Sequence, residues 1–285
     1  MDVKLRPGTT DDAAECGRIC FESFSSIAGE QNFPPDFPAP DVAVGMLSTM
    51  LGRPGFYSVV AEAGGAIVGS NFLDERSPVV GVGPITVDPA VQNRGVGRVL
   101  MQDVLNRSAE RGAPGVRLLQ DAYHNRSLAL YARLGFQVRD LVACMQGNPP
   151  RGEIPGHTTR AASTEDVDAC NAVCLHVHGH HRTGELTEAV ERGAALVVEH
   201  DGRITGYATG LAFFAHAVGE SNEDLKALLM AADAFGGPGV LVPTTNGALF
   251  AWCLGRELRV MKTMSLMSVG LYNTPQGAFL PSVLY

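Results

Sequence analysis

Apolar positions along the first half of the chain follow two periods, and the switches between them mark out the elements. Thr9 or Thr10 with Asp11 and Asp12 can cap a helix running to about Phe24, because acidic side chains favour a helix N-terminus. A long connection follows, with FPPDFPAP (Phe33 to Pro40) too proline-rich for a helix, and then a helical stretch near Asp41 to Leu51. Strands are predicted at about Tyr57 to Glu62, Ile67 to Asp74 and Val79 to Val87. Val96, Val99, Leu100 and Val104 then recur at helical spacing, with Gln102, Asp103 and Arg107 on other faces. Val116 to Gln120 reads as a short buried strand. Asn125 can cap a helix carrying Leu130, Tyr131 and Leu134, which Gly135 ends, and Phe136 to Met145 returns as a strand. The order β, α, α, β, β, β, loop, α, β, α, β predicts an α/β fold with a mixed sheet and helices on both faces.

The chain also repeats itself. RPGTTDDAAECGRIC from Arg6 and RAASTEDVDACNAVC from Arg160 share Arg, Thr, Asp and both Cys at matching places. VVAEAGGAIVGS from Val59 and LVVEHDGRITGY from Leu196 each read as strand, glycine-containing hairpin turn and strand. Two resemblances in the same order predict tandem copies of one fold. The prolines and glycines of NPPRGEIPG suit a linker, so the expected division is residues 1–147, a linker at 148–157, and 158–285.

Composition narrows the classes. With 30 acidic against 22 basic side chains the net charge is −8, which argues against a partner bound through its phosphate backbone, so nucleic acid is excluded. No apolar run reaches the length of a membrane span, and MDVKLRPG lacks the blocks of a signal peptide, so a cytoplasmic location with no membrane partner is expected. Cys16/Cys20 and Cys170/Cys174 are four apart on predicted helices, a Cβ separation of about 5–6 Å that is too wide for a disulfide, so they read as reduced core residues. CLHVHGHHR places His176, His178, His180 and His181 together, but the spacing fits no standard metal site and no metal is expected.

The segment GPITVDPAVQNRGVGR, Gly83 to Arg98, predicts a strand, a turn and a helix start lined by backbone N–H groups. The amides of a first helical turn lack intrahelical partners and carry about half a positive charge, so a diphosphate suits them. Gly95 and Gly97 let the backbone come close to such a ligand, and Arg94 and Arg98 can add charge from the rim. A P-loop is excluded because GxxxxGK[ST] is absent, and GVGPIT at Gly81 lacks the third glycine of a dinucleotide fingerprint.

Two separated motifs make this half resemble the GCN5-related N-acetyltransferases. VDPAVQNRGVG, Val87 to Gly97, is similar to that family's acyl-CoA pyrophosphate loop, and NRSLALYARLGF, Asn125 to Phe136, to its following helix. The resemblance covers roughly residues 3 to 146. It implies acetyl-CoA as cosubstrate, contacted by Ile85, Thr86, Val87, Gln92, Asn93, Arg94, Gly95, Val96, Gly97, Arg98, Asn125, Ser127 and Tyr131. The second copy departs from the pattern. It has no GxG turn where the phosphate loop should begin, and NGALFAWCLGREL puts Trp252 near the tyrosine position, so it reads as a degenerate copy that packs against the first and walls the acceptor pocket.

Acyl transfer to an amine needs a polarised carbonyl, a neutral nucleophile and a stabilised thiolate. The resemblance implies that backbone N–H groups of Ile85, Thr86 and Val87 serve the carbonyl and that Tyr131 faces the sulfur. A phenol with pKa about 10 need only hydrogen-bond a thiolate of pKa about 8.5, not surrender its proton. For the base the sequence offers several candidates and picks none: Asp74 and Glu75, of which one should face the cleft since adjacent strand residues point to opposite sides, Asp121 as a third, and a water relay as a further route. The segment Glu30 to Asp41 is a candidate acceptor lid, with Phe33, Phe37 and Asp36. The expected activity is direct acetyl transfer in a ternary complex to a small-molecule or peptide amine, by a monomer or homodimer; the alternative is a non-catalytic acyl-CoA sensor.

Overall fold

The structure, a computed structural model, describes residues 2–284. In the first half β1 (Lys4–Pro7), α1 (Ala13–Glu30) and α2 (Pro40–Gly52) precede β2 (Phe56–Ala63), β3 (Ala66–Asp74), β4 (Val80–Val82) and β5 (Thr86–Val87). Then come α3 (Val96–Glu110), β6 (Gly115–Asp121), α4 (Asn125–Arg133) and β7 (Gln137–Gln146). The second half repeats the order with β8 (His157–Ala161), α5 (Val167–His178), α6 (Thr183–Glu191), β9 (Leu196–His200), β10 (Arg203–Ala208) and β11 (Ala217–Gly219). It continues with α7 (Asn222–Ala231), β12 (Val240–Pro243), α8 (Gly247–Gly255), β13 (Arg259–Gly270) and β14 (Ala278–Leu280).

The internal repeat has a physical counterpart in each half. The Thr9 N–H and hydroxyl donate to the Asp12 carboxylate at 2.8 and 3.1 Å, and Arg6 grips the same carboxylate at 2.8 Å while reaching Glu62 on β2 at 2.7 Å. Ser163 donates likewise to Asp166 at 2.7 and 2.9 Å, and Arg160 holds Asp166 at 2.7 Å and Glu199 on β9 at 2.8 Å. Both hairpins turn through consecutive left-handed residues, Gly64 and Gly65 (φ 60° and 84°) and Asp201 and Gly202 (φ 51° and 73°), the geometry that matches strand twist.

Three local expectations shift. Helix α1 runs on to Glu30 because its apolar face continues: Phe24 meets Phe37 edge-on at 5.8 Å and Ala28 is buried. The single strand expected over Val79 to Val87 divides into β4 and β5, since Pro84 brings no N–H to the ladder. The cap of α4 is His124, whose Nδ1 accepts from the Ser127 N–H at 3.1 Å, and not Asn125, which is the first helical residue.

The halves exchange their last long strands. The larger sheet runs β1-β2-β3-β4-β6-β13-β7-β12, with β5 on β3, and the smaller runs β14-β11-β10-β9-β8. So β13 of the second half pairs antiparallel with β6 of the first, β7 of the first pairs with β12 of the second, and β7 and β13 pair with each other. One core spans the junction, packing Leu119, Val142 and Cys144 against Cys174, Leu186 and Tyr207. All six cysteines are buried and unlinked. Among the described residues no helix is long and apolar enough to cross a membrane.

Candidate functional site

Strands β4 and β6 pair in parallel only at Val80–Val116 and Gly81–Arg117. Beyond those pairs they part, and a cavity of about 1040 Å³ opens between Val82–Val87 on one side and Leu118–Asp121 on the other. The divergence leaves backbone groups unspent. Past the break at Pro84, Asp88 donates its N–H to Val68 O at 2.9 Å and Thr86 pairs with Ser70, both toward β3. Donors alternate along a strand, so the N–H groups of Ile85 and Val87 face the opening.

At one end of the cavity stands the N-terminus of α3. Gly95, left-handed at φ 89°, turns the chain into the helix, and the first intrahelical bond in this turn is Val99 N–H to Gly95 O at 3.2 Å. The amides of Val96, Gly97 and Arg98 precede it and are the donors of an anion site. The surroundings of Gly97 indicate why the position is bare. A Cβ there would sit 3.6 Å from Leu130 and 3.7 Å from Val87, which is ordinary contact, so the protein's own packing does not require glycine. A cradle that a Cβ would partly fill fits a closely approaching ligand.

Most of the expected cofactor residues meet here. Ile85, Thr86, Val87, Gln92, Asn93, Gly95, Val96, Gly97, Arg98, Ser127 and Tyr131 all line the cavity. The Thr86 side chain is turned away, its hydroxyl bonded to Ser70 at 3.3 Å, and Gln92 braces the loop by donating to Val87 O at 3.1 Å. Arg94 and Asn125 are exposed beside the cavity and not in its wall. Tyr131 is buried, and burial pushes its phenol up to about 12 against a smaller opposing effect of its hydrogen bond with Ser127. Its hydroxyl is therefore a donor that keeps its proton. Gln120 lies one residue from Asp121 and so on the opposite sheet face, the side on which Leu118 packs with Tyr131. Its buried Nε2 and Oε1 have no hydrogen-bond partner among the described residues.

Two of the candidate bases must be corrected. Asp74 is buried in an ion pair with Arg76 (Nε to Oδ1 2.8 Å), which also binds Glu188 of α6, and Glu75 is clamped by Arg107 at 2.8 Å and Arg111 at 3.2 Å. Neither lines the cavity. The cause is register: Asp74 pairs with Gly81, on the closed side of the point where β4 and β6 separate.

The other end of the cavity holds a different charged group. Lys262 of β13 sits with its ammonium 2.8 Å from Asp121 Oδ1 and bonded to Asp36, and Tyr123 donates to Asp121 Oδ2 at 3.0 Å. Burial disfavours that ammonium, yet Asp121 and Asp36 outweigh it and hold Lys262 above the ordinary lysine range. Burial likewise lifts Asp36 above the ordinary carboxylate range against the pull of Lys262. Phe33 stacks on Tyr123 at 4.3 Å, which fixes the proline-rich segment over this end. Lys262 and Phe213, both from the second half, were missed in the sequence. A lysine in an alternating strand looks like a solvent-facing residue until the strand is known to cross into the other half's sheet.

The second copy has closed its counterpart of the helix mouth. Ser221 opens α7, and the Asp224 carboxylate takes its N–H and hydroxyl at 2.8 and 2.7 Å and a bond from Thr205, with His157 Nε2 3.5 Å away. Asn246, the cap of α8, exchanges side-chain bonds with Asn222 at 2.7 and 3.2 Å. The Asp224 carboxylate thus brings a negative charge of the protein's own to the start of α7, which disfavours a second anion there.

A splayed sheet with a glycine-turned helix mouth in the gap is the arrangement of a GNAT-type fold, and the part of the chain that carries it matches a family model. Residues 22–136 match the model of the Acetyltransferase (GNAT) family. Residues of the chain are 36% identical over 92 positions to the mycothiol acetyltransferase of Thermomonospora curvata, a match covering 32% of this chain and 31% of that protein. The chain therefore aligns with about a third of the length of that curated relative. The fold is similar over nearly its whole length to a GCN5-related N-acetyltransferase from Sphaerobacter thermophilus, with TM-score 0.61, 16% identity and 95% and 96% of the two chains covered. It is also similar to a tandem GNAT protein from the clavulanic acid biosynthesis pathway, with TM-score 0.56, 14% identity and 94% and 98% covered.

Proposed function

We propose that the protein transfers an acetyl group from acetyl-CoA to a primary amine by direct attack in a ternary complex. The observation that carries this reading is that one continuous cavity joins the amide-lined mouth of α3 to the Asp36–Lys262–Asp121 group. The α3 amides with Arg98 would hold the pyrophosphate, and the free amide of Gln120 matches the amides of the pantetheine arm. Acetyl-CoA supplies the thioester.

The chain's own residues would do three things. The N–H groups of Ile85 and Val87 stabilise the oxygen that gains charge as the amine attacks. A carboxylate of the Asp36 and Asp121 pair accepts the proton that the ammonium must lose. Tyr131, protonated throughout, donates a hydrogen bond to the sulfur as the C–S bond breaks, and the thiolate then takes a proton from solvent. The closed mouth of α7 supports one cofactor site per chain, in the first half, with the second half lending the wall of the acceptor side.

Thiol release measured with acetyl-CoA and a panel of amines tests the proposal. Amine-dependent release with an acetylated product of matching mass is expected; binding of acetyl-CoA with no amine-dependent release across the panel would leave a sensor in its place.

A further inference from the structure

Resting on that reading, we infer that the acceptor is a monocationic amine on an apolar body with no carboxylate beside the amine. The argument begins with where the charges lie. Arg98, Arg126 and Arg133 belong to α3 and α4 at the cofactor end, and His124 accepts a hydrogen bond at Nδ1 and is kept neutral by burial. The charged groups left for the opposite compartment are Asp36, Asp121 and Lys262, a surplus of one negative charge. Lys262 is already neutralised for an incoming carboxylate, because two of its three N–H donors go to the aspartates and the Phe213 ring lies 5.9 Å from its nitrogen.

The vacant hydrogen-bonding position in this compartment is an acceptor. Asp36 Oδ2 is buried and has no partner among the described residues, so a donor placed there would satisfy a group whose isolation is otherwise costly. An ammonium supplies donors and charge together. Phe37, Met46, Phe213, Phe214 and Met261 give the cavity a large apolar wall besides the carboxylates. An α-carboxylate carried in with the amine would come within about 6 Å of Asp36 in a poorly screened cavity, which at an effective dielectric near 20 amounts to about a hundredfold in discrimination.

Matched pairs test this. Acetyl-CoA binding is measured first by calorimetry, then kcat/KM for phenethylamine against phenylalanine and for tyramine against tyrosine at saturating acetyl-CoA. The decarboxylated member is expected to be preferred by about a hundredfold, and Asp36→Asn to shrink that ratio to about tenfold or less. Should no pair turn over, calorimetric binding of the same four compounds to the acetyl-CoA-loaded protein gives the same comparison. Equal or better handling of the amino acids by a protein that binds acetyl-CoA overturns the inference alone; failure to bind acetyl-CoA overturns the reading beneath it, and the inference with it.

Discussion

At Gly97 the absence of a side chain sets two properties against each other. Because a Cβ there meets protein atoms only at 3.6 and 3.7 Å, Gly97→Ala should keep the fold and even gain up to about 1 kcal/mol from helix propensity. The same methyl group would stand where a diphosphate approaches the α3 amides. A thermal melt should therefore show an unchanged or higher midpoint without ligand, and lose most of the upward shift that acetyl-CoA is expected to give the wild type. A lower midpoint without ligand would mean that Gly97 serves packing. Tyr131→Phe tests the other end of the reaction. It removes one donor from a buried ring that still packs with Phe136 at 6.0 Å, so kcat should fall by about a hundredfold with acetyl-CoA affinity little changed. An unaltered kcat would remove Tyr131 from the chemistry. At this scale the sequence was readable where backbone chemistry dictates residue type: glycines at a helix mouth have few other uses. It misled at Asp74 and Glu75, because period-2 alternation says that one of two neighbours faces each side but not where along the strand the sheet opens.

The capping units of the two halves are the elements most sensitive to acid. Asp12 is held down to about 2, chiefly by its hydrogen bonds from Arg6, and Asp166 lies well below the ordinary carboxylate range through Arg160. Both values are depressed in the folded state. The stabilisation they give is thus complete above the unfolded carboxylate value of about 3.9 and is lost as pH falls through the folded values. Urea midpoints should be flat from pH 7 to 5 and drop between about pH 4 and 2, and Asp12→Asn should cost about 1 kcal/mol at pH 7 while flattening that drop. A drop of the same size in the double variant Asp12→Asn, Asp166→Asn would place the acid-sensitive groups elsewhere. These units were legible because Arg, Thr or Ser and Asp recur at fixed spacing in both halves. The division of β4 from β5 needed only Pro84 to be taken at its chemical value. The identity of the α4 cap was harder, since histidine and asparagine stand side at side at the helix start and only geometry chooses His124.

For the whole molecule, the reciprocal exchange of β7 and β13 makes each half incomplete. Residues 1–146 alone would leave β6 without the partner that bonds it from Asp121 to Gly115 and would remove Lys262 from between Asp121 and Asp36. Such a fragment should be aggregated or noncooperative in calorimetric unfolding, whereas coexpression with residues 147–285 should restore a single transition. A soluble, cooperative fragment would show that the exchange is dispensable. The tandem arrangement was visible in the two internal repeats, but pairing across halves was not, because nothing in strand composition says which of two similar neighbours a strand will join. On the proposed reading, the same exchange is what brings Lys262 of the second half to the acceptor side, beside Phe213. Everything turns on where coenzyme A docks, and the stoichiometry of acetyl-CoA binding by isothermal titration addresses that most directly: the account predicts one site per chain, weakened severely in Gly97→Ala, while no heat of binding, two sites, or an unchanged affinity in that variant would contradict it.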